Sequence, residues 1–321
     1  MLKHPFKVIL RILLLSPLLF SCIKEGVEDC GVYLELIYDM NMRYQDSFVS
    51  DIEGVDVFVF DNKGGYLFHK EVGRKQLIGG NKIEFGWDLE YGSYQVLTVG
   101  GLSDSFRIEE DEGLLHPGTT TIEQIRIMLD RQSDVVSHAF SSLWVGKVVT
   151  VDYRAAITTY PVHFVKDTNH FLVELKAAES GHIGGAYTFE IVTPEGAVYS
   201  HENKPLRQEK LTYKPYRLNT GADGIITGEI NTCRLFDTGQ YRLVVRNAVT
   251  QQVEWEYNLM DFLAYSKPEA RIDNTPLPFQ EYLDRESEWK ITLSYKEGVN
   301  QDFTAVAINI NGWIMWLHDI E

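Results

Sequence analysis

The dominant pattern along the chain is a series of short apolar runs that alternate with polar residues. Residues 32–38 (VYLELIY) and 54–60 (GVDVFVF) are rich in β-branched and aromatic side chains, which is typical of strands. Residues 61–65 (DNKGG) are types that tolerate turn geometry, and residues 66–70 (YLFHK) again have the composition of a strand. The sequence therefore predicts a β-hairpin over 54–70. The segment TPEG at 193–196 predicts a second hairpin between the strands on either side of it.

Two segments have a helical pattern. Residues 258–265 (NLMDFLAY) are the best helix candidate, and they end before Pro268. Residues 122–130 fit either a helix or a strand. Thr120 and Glu123 resemble a capping box, but alternate positions from residue 125 onward are apolar, which favours a strand.

Many short strands with turn signals and little helix predict an all-β protein built from sandwiches. Further strands are expected at 92–99, 141–151, 161–165, 171–175, 240–245, 253–257, 289–295 and 305–316. A body of about 300 residues favours two domains. We expect an N-terminal domain at 31–156 and a C-terminal domain at 157–321.

The N-terminus carries an export signal. Lys3, Lys7 and Arg11 precede an apolar run from Ile12 to Phe20, which is too short to cross a bilayer as a helix. The run ends in Leu-Phe-Ser-Cys at 19–22, which resembles a bacterial lipobox with Cys22 as the lipidated residue. We expect a signal peptide at 1–21 and a lipidated linker at 22–30. The alternatives are an ordinary signal peptide cleaved nearby, or an uncleaved anchor.

The charge balance narrows the possible partners. The formal net charge is −16, and removal of the leader, with its three cations and no acid, leaves −19. Such an acidic body repels nucleic acid and anionic membrane surfaces, and the sequence has no basic stripe to offset it. We therefore expect no nucleic-acid partner.

The chain has three cysteines, Cys22, Cys30 and Cys233. If Cys22 carries lipid, Cys30 and Cys233 either form a disulfide that closes a very long loop or remain two separate thiols. Their spacing is unlike that of a metal site.

Catalytic motifs are absent from the sequence. It contains no G-x-S-x-G, H-E-x-x-H, P-loop or G-x-G-x-x-G pattern, and its acidic pairs are expected by chance. We predict no enzymatic activity, no metal and no cofactor. The pairs Trp255/Tyr257 and Trp313/Trp316 could stack on sugars, although aromatic residues alternating along strands usually belong to a core. The residues therefore indicate a binding or structural protein.

Several segments resemble, in the right order, the anchor lipoproteins of type V fimbriae. They are Asp29–Phe48, Val55–Leu67, Ser141–Lys147, Phe164–Leu175, Leu211–Tyr216, Cys233–Phe236, Gln280–Leu293 and Ile308–Trp316. The resemblance implies two tandem transthyretin-like β-sandwich domains. It also implies an outer-membrane lipoprotein that binds the fimbrial shaft subunit by strand complementation and limits fimbrial length.

The C-terminal run is the candidate contact with the shaft subunit. Its residues alternate, and the pattern is interrupted at Asn311-Gly312. The run is equally a terminal core strand or a strand shared with the shaft. The candidate contact residues are Ala305, Val306, Ile308, Ile310 and Trp313. The main alternative function is a surface glycan-binding lipoprotein from a polysaccharide-uptake system.

Overall fold

The computed structural model describes residues 31–110, 113–179, 184–297 and 303–316. The leader, Cys22 and Cys30 lie outside these residues. Within the described ranges the chain forms 22 strands and three short α-helices. The predicted all-β class is confirmed.

Eleven strands form before Asp167. They are β1 (Val32–Ile37), β2 (Gly54–Phe60), β3 (Tyr66–Gly73), β4 (Lys82–Phe85), β5 (Gly92–Gly100), β6 (Phe106–Glu109), β7 (Arg126–Leu129), β8 (Val135–Val136), β9 (Trp144–Gly146), β10 (Val149–Tyr153) and β11 (Thr158–Lys166). A short helix, α1 (Phe48–Asp51), lies between β1 and β2, and single 3₁₀ turns occur at Arg74–Gln76 and Ile122–Gln124.

Eleven more strands and two helices follow Asp167. The strands are β12 (Thr168–Ala177), β13 (Tyr187–Glu195), β14 (Val198–Ser200), β15 (Gln208–Tyr213), β16 (Arg217–Thr220), β17 (Ile226–Cys233), β18 (Arg242–Asn247), β19 (Val253–Asn258), β20 (Glu288–Glu297), β21 (Phe303–Ile310) and β22 (Trp313–Trp316). The helices are α2 (Leu259–Ser266) and α3 (Phe279–Arg285).

One eight-stranded sheet, the first-half sheet, organises the N-terminal part of the chain. Its strand order is β3-β2-β5-β9-β11-β1-β4, with β10 also paired to β5. The residues of β2 alternate between two cores. Val55, Val57 and Val59 face one core, whereas Phe58 and Phe60 face the other. Because both faces of this strand are covered, its sequence is almost continuously apolar.

Two sheets pack face to face in the C-terminal part, which we call the second-half sandwich. One sheet has the order β16-β17-β12-β20-β21-β22, and the other has the order β19-β18-β13-β15-β8. The ring of Phe189 in β13 lies against Gly228 in β17, where an added Cβ would be only 2.6 Å from the ring. This glycine is needed because the two sheets approach closely there.

The two parts of the chain share a core. One continuous cluster of buried side chains includes Phe58 and Leu97 of the first-half sheet together with Phe171 and Phe189 of the second-half sandwich. Strand β8 also crosses over, because it pairs with β15 at the edge of the sandwich. Apolar burial of this kind couples the two parts into one packed body.

The boundary between the parts falls later than the expected division after residue 156. Strand β11 pairs with β1 and β9, so residues 158–166 belong to the first-half sheet. The next strand, β12, pairs with β17 and β20 in the sandwich. We therefore propose Asp167, between β11 and β12, as the point of division.

The first predicted hairpin is confirmed, and the second is wrong. Strands β2 and β3 pair antiparallel around the turn, where Asp61 Oδ1 accepts hydrogen bonds from the amides of Lys63 and Gly65 at 2.8 Å. In contrast, β14 pairs with β7 and not with β13. Turn-forming residues do not exclude a distant partner strand, and pairing with β7 buries Val198 and Tyr199.

The structure resolves the ambiguous segment at 122–130. Residues 126–129 form β7, as the strand alternative predicted, and one 3₁₀ turn precedes them. The side chain that folds back is Gln124, which accepts a hydrogen bond from the Thr121 amide at 2.8 Å. The predicted helix at 258–265 is confirmed as α2, capped by Asn258 Oδ1, which accepts from the Met260 amide at 3.1 Å.

Candidate functional site

The C-terminal run folds into a tight hairpin made of β21 and β22. Asn311 and Gly312 form its turn with φ values of 48° and 92°, the left-handed conformation that suits these two residue types. The Asn311 side chain ties the turn to β20. Its Nδ2 donates to the Glu288 carbonyl at 3.1 Å, and its Oδ1 accepts from the Lys290 amide at 2.7 Å. The hairpin is therefore held rigidly against the sheet.

Only one strand of this hairpin has a free side. Strand β21 pairs with β20 on one side and β22 on the other. Strand β22 is the last strand of its sheet among the described residues. Among the described residues no strand pairs with its outer side, so the backbone amides and carbonyls there can pair with another chain.

The side chains of β22 are large, apolar and exposed. Trp313 is 60% exposed, Ile314 59% and Trp316 64%. Exposed apolar edge strands are usually suppressed in soluble proteins because they promote association. We call the outer side of β22 with these three side chains the C-terminal edge.

A small cleft lies beside the C-terminal edge. It has a volume of about 160 Å³ and is bordered by Phe262 and Tyr265 of α2 together with Trp313 and Met315 of β22. Helix α2 keeps this position because its buried residues Leu259, Met260 and Leu263 pack into the sandwich core. The cleft can accept an apolar side chain from a strand added at the edge.

The opposite face of β22 borders a more polar groove. This groove has a volume of about 540 Å³, and Ile314 and Trp316 line it together with Glu174 and Lys290. The Lys290 ammonium lies 2.9 Å from the Glu174 carboxylate, and Thr292 Oγ1 donates to the same carboxylate at 2.8 Å. These two charges neutralise each other, and the exposed Lys176 adds a cation to the lining of the groove.

The structure divides the five predicted contact residues into separate groups. Ile308 and Ile310 point into the core, where each is almost fully buried. Ala305 and Val306 lie in β21, but their side chains are outside the described residues. Trp313 is exposed on β22. The contact itself stays a prediction, and the free edge favours β22 as its location.

The two remaining sequence predictions concern cysteines. Cys22 and Cys30 lie outside the described residues, so lipidation and disulfide pairing stay predictions. Cys233 is buried, and burial raises the pKa of its thiol to about 12.

A second polar feature, the joint, lies where β11 passes into β12. Asp167 is fully buried, and its Oδ1 accepts from Asn203 Nδ2 at 2.7 Å. Arg234 lies nearby and forms a bidentate ion pair with Asp284, with nitrogen to oxygen distances of 2.8 and 2.9 Å. Removal of one partner of such a buried pair leaves an uncompensated charge.

Helix α3 makes further contacts between the two parts of the chain near the joint. Arg285 Nη1 donates to the carbonyls of Asp39 and Asn41 at 2.8 and 3.1 Å, and its guanidinium lies 4.1 Å from the Tyr44 ring centre. Glu281 accepts from Arg271 and, at 2.8 Å, from Arg285, and these contacts hold the pKa of Glu281 at about 2. Helix α3 thus connects the loop after β1 to the sandwich.

The buried carboxyl of the joint makes stability depend on pH. Burial raises the pKa of Asp167 to about 7, although the Arg234 charge opposes the change. Its Oδ2 has no hydrogen-bond partner among the described residues. The folded state therefore binds a proton that the unfolded state releases near pH 4, and stability falls as the pH rises from there to 7.

We expect Asp167→Asn to remove this pH dependence. Asparagine keeps the acceptor for Asn203 and carries no charge, so the variant should gain stability relative to the parent as the pH rises. The expected gain in Tm between pH 5 and pH 8 is a few degrees, as about 1 kcal/mol shifts Tm by roughly 2–4 °C in a chain of this size. Thermal unfolding of both proteins at the two pH values measures it, and an equal difference at both would contradict the assignment.

The sequence matches one protein-family model over residues 27–319, that of the fimbrillin-A associated anchor proteins Mfa1 and Mfa2. The chain belongs to this family. It is a family of fimbrial anchor and structural proteins and not a class of enzymes. No curated protein matches the sequence.

Solved structures of family-like proteins share the fold. One from Bacteroides ovatus, provisionally described as an adhesin, is 41% identical with a TM-score of 0.84, covering 93% of this chain and 98% of its own. One from Bacteroides thetaiotaomicron, provisionally described as a polysaccharide-binding protein, is 27% identical with a TM-score of 0.78, covering 90% and 99%. The fimbrial anchor protein Mfa2 of Porphyromonas gingivalis is 16% identical with a TM-score of 0.69, covering 90% and 99%, and shows the fold alone.

Sequence reasoning missed helix α3 and the joint. Residues 279–285 (FQEYLDR) follow a proline and are few, so their apolar pattern is weak. Arg285 makes contacts about 245 positions away in sequence, which no local pattern reveals. Asp167 appears in the sequence as an ordinary turn residue in KDTN.

Proposed function

We propose that this protein anchors a fimbria to the outer membrane and that the shaft subunit docks along the C-terminal edge. The observation that carries the proposal is the exposure of Trp313, Ile314 and Trp316 on a strand with a free outer side. Family membership makes fimbrial subunits the expected partners. The edge supplies a surface on which one of them can bind.

The binding mode we propose is β-strand complementation. A strand from the shaft subunit would pair with the backbone of β22, and these hydrogen bonds supply affinity without regard to sequence. Specificity would come from side chains that fill the cleft between α2 and β22 and cover the exposed tryptophans. A shaft subunit bound in this way is added at the base of the polymer. Growth at that end then stops, which would limit fimbrial length.

We propose that lipid on Cys22 holds the other end of the protein in the membrane. One acyl chain gives only marginal binding, whereas the two or more chains on a lipobox cysteine anchor stably. No helix among the described residues is long and apolar enough to cross a membrane.

Several independent contacts between the two parts of the chain suit a protein that carries mechanical load. Force on a fimbria would pass from β22 through the sandwich, across Asp167 and α3, into the first-half sheet and on to Cys22. The shared core and the Arg285 contacts resist separation of the two parts. We propose that the joint serves this mechanical role, with no catalytic residues, metal or cofactor.

Charged substitutions on the C-terminal edge test the docking proposal. The double variant Ile314→Lys and Trp316→Lys places cations on an edge where natural proteins use lysine to block pairing. We expect its Tm to stay close to that of the parent, because both side chains are exposed. Recovery of shaft protein with the tagged anchor from outer membranes should fall at least about tenfold, as for the loss of interface hot spots.

The matched control is Val249→Lys. Val249 is 80% exposed in the turn between β18 and β19, away from β22, so the same chemical change there should leave recovery of the shaft unchanged. Equal recovery from the edge variant and the parent would refute docking at β22. Equal losses from both variants would show a general charge effect and would also count against the site.

The alternative function, glycan binding, is supported by similarity to one solved structure. One similar structure, 27% identical to this chain, is provisionally described as a polysaccharide-binding protein. Of the tryptophans that bear on this alternative, Trp87, Trp144 and Trp255 are partly buried, and Trp313 is exposed. Glycan binding is compatible with anchoring, because the two functions would use separate surfaces.

A further inference from the structure

A second concave surface, the Trp87 groove, lies on the first-half sheet between β3 and β4. Its volume is about 690 Å³, within the range of small-molecule sites. The floor is apolar and buried, and it is formed by Val72, Ile83 and Phe85. The rim carries exposed polar side chains, and these are Lys70, Gln76, Glu84 and Asp88.

The turn that forms one wall of the groove has unusual backbone geometry. Trp87 and Asp88 have φ values of 30° and 67°, which cost non-glycine residues of order 1–3 kcal/mol each. The turn is closed by a hydrogen bond of 2.6 Å from the Leu89 amide to the Gly86 carbonyl. Glycine is favoured at position 86 because its φ is 153°, and an added Cβ would also lie 2.8 Å from the Tyr153 hydroxyl.

This strained turn presents an aromatic ring at the groove. The Trp87 indole is only partly buried, although Phe85 and Phe68 support it with ring centres 5.5 and 6.2 Å away. The Lys70 ammonium lies 5.0 Å from the ring centre. A tryptophan needed only for packing could be held by an unstrained backbone. The cost of this geometry is therefore explained if the ring has to be presented to a ligand.

The combination of floor, ring and rim matches the chemistry of a sugar. A pyranose has faces of C–H groups that stack on an aromatic ring and a girdle of hydroxyls that both donate and accept. The carboxylates of Glu84 and Asp88 accept hydrogen bonds, and the Lys70 ammonium donates them. The Gln76 amide nitrogen can also donate, while its Oε1 accepts from the Gly73 amide at 2.8 Å. A purely apolar ligand would desolvate these four groups without replacing their hydrogen bonds.

Charge and side-chain chemistry narrow the class of ligand. The rim carries more acid than base, and the chain has a net charge of −16, which disfavours acidic glycans. An extended peptide is the competing ligand, because β3 and β4 are both end strands of the first-half sheet, with eight and four residues. We propose that the Trp87 groove binds a neutral polysaccharide, with Trp87 as the stacking platform and Glu84 and Asp88 as hydroxyl acceptors.

This proposal does not depend on the anchoring function. The Trp87 groove belongs to the first-half sheet, whereas the C-terminal edge belongs to the second-half sandwich. A glycan site beside the anchor would let the base of the fimbria hold a polysaccharide at the cell surface. Loss of glycan binding and loss of shaft docking should therefore be separable by mutation.

Calorimetric titration of the detergent-solubilised full chain tests the groove. The neutral probes are laminarin, yeast mannan, xyloglucan and maltoheptaose, and polygalacturonate is the acidic probe. At least one neutral probe should bind, and Trp87→Gly should weaken that binding about tenfold or more, which corresponds to about 1.4 kcal/mol. Glycine relieves the positive φ but also removes the ring that packs on Phe85 and Phe68, so binding is compared at a temperature well below the Tm of both proteins.

Two further variants complete the test. Glu84→Gln should weaken binding of the same probe without a change in Tm, because it replaces an exposed acceptor. Trp316→Ala removes an exposed tryptophan from the other surface and should leave binding unchanged. The proposal is overturned if no neutral probe binds, if only polygalacturonate binds, or if Trp87→Gly binds as well as the parent. The proposal would also be overturned if a strand-forming peptide bound the groove more tightly than the glycan and displaced it.

Discussion

Replacement of Cys22 with alanine is expected to release almost all fimbriae from the cells into the medium. Without the thiol no diacylglyceryl group can be attached, and the remaining contacts of an acidic body with an anionic membrane are repulsive. Loss of two or more acyl chains changes the protein from permanently membrane-bound to free. The expected effect is therefore a near-complete change in location, measured as the fraction of shaft protein in the culture supernatant.

The composition of the released material distinguishes the two ends of the anchor. Fimbriae shed by the Cys22→Ala strain should still carry the anchor protein, because docking at β22 is intact. Fimbriae shed by the Ile314→Lys and Trp316→Lys strain should lack it. Cys30→Ala, which removes a neighbouring thiol, serves as the matched control and should retain fimbriae on cells. Cell-bound fimbriae in the Cys22→Ala strain would contradict lipid attachment, and mass spectrometry of the N-terminus would show whether an uncleaved leader replaces it.

Trp289→Ala should destabilise the protein by about 3–5 kcal/mol, as for other large aromatic deletions in cores. Trp289 lies in β20 and is almost fully buried. Its ring is stacked on Phe171 at 6.0 Å and meets Tyr282 edge-on at 5.5 Å. Its Nε1 donates to Asn169 Oδ1 at 3.0 Å, so the deletion also leaves a buried acceptor unpaired.

Chemical denaturation measures this loss, and Tm should fall by roughly 10 °C. Trp316→Ala is the matched control, because that tryptophan is 64% exposed and its loss should change stability by less than about 0.5 kcal/mol. A small effect at Trp289 would mean that the sandwich core does not depend on the contact between β12, β20 and α3. The two tryptophans thus separate residues that hold the fold from residues that face a partner.

Features determined by neighbouring residues could be predicted from the sequence. The hairpin of β2 and β3 follows from DNKGG, and the start of α2 follows from Asn258. The interruption at Asn311-Gly312 marks the turn between β21 and β22. In each case the residue types that tolerate a given φ, or that accept a backbone hydrogen bond, act within a few positions.

The candidate site could be located in the sequence but not resolved into roles. Alternation in 305–316 indicated a strand with an apolar face, which suits a core strand and a docking strand equally well. The structure places Ile308 and Ile310 in the core and Trp313 outside it. This difference depends on which strand lies next to β22, and a period of two does not contain that information.

The sequence by itself determined the all-β class, the turns of the β2–β3 and β21–β22 hairpins, the start of α2 and the family to which this chain belongs. Tertiary structure alone decided that β14 pairs with β7, that β11 belongs to the first-half sheet, and that Asp167 is buried beside Arg234 and Asp284. It also decided that β22 has a free edge and that Trp87 is held in a strained turn over a groove. The physical reason is that strand pairing and burial are set by competition among distant segments for the same apolar surface, whereas turns and caps are set by adjacent residues.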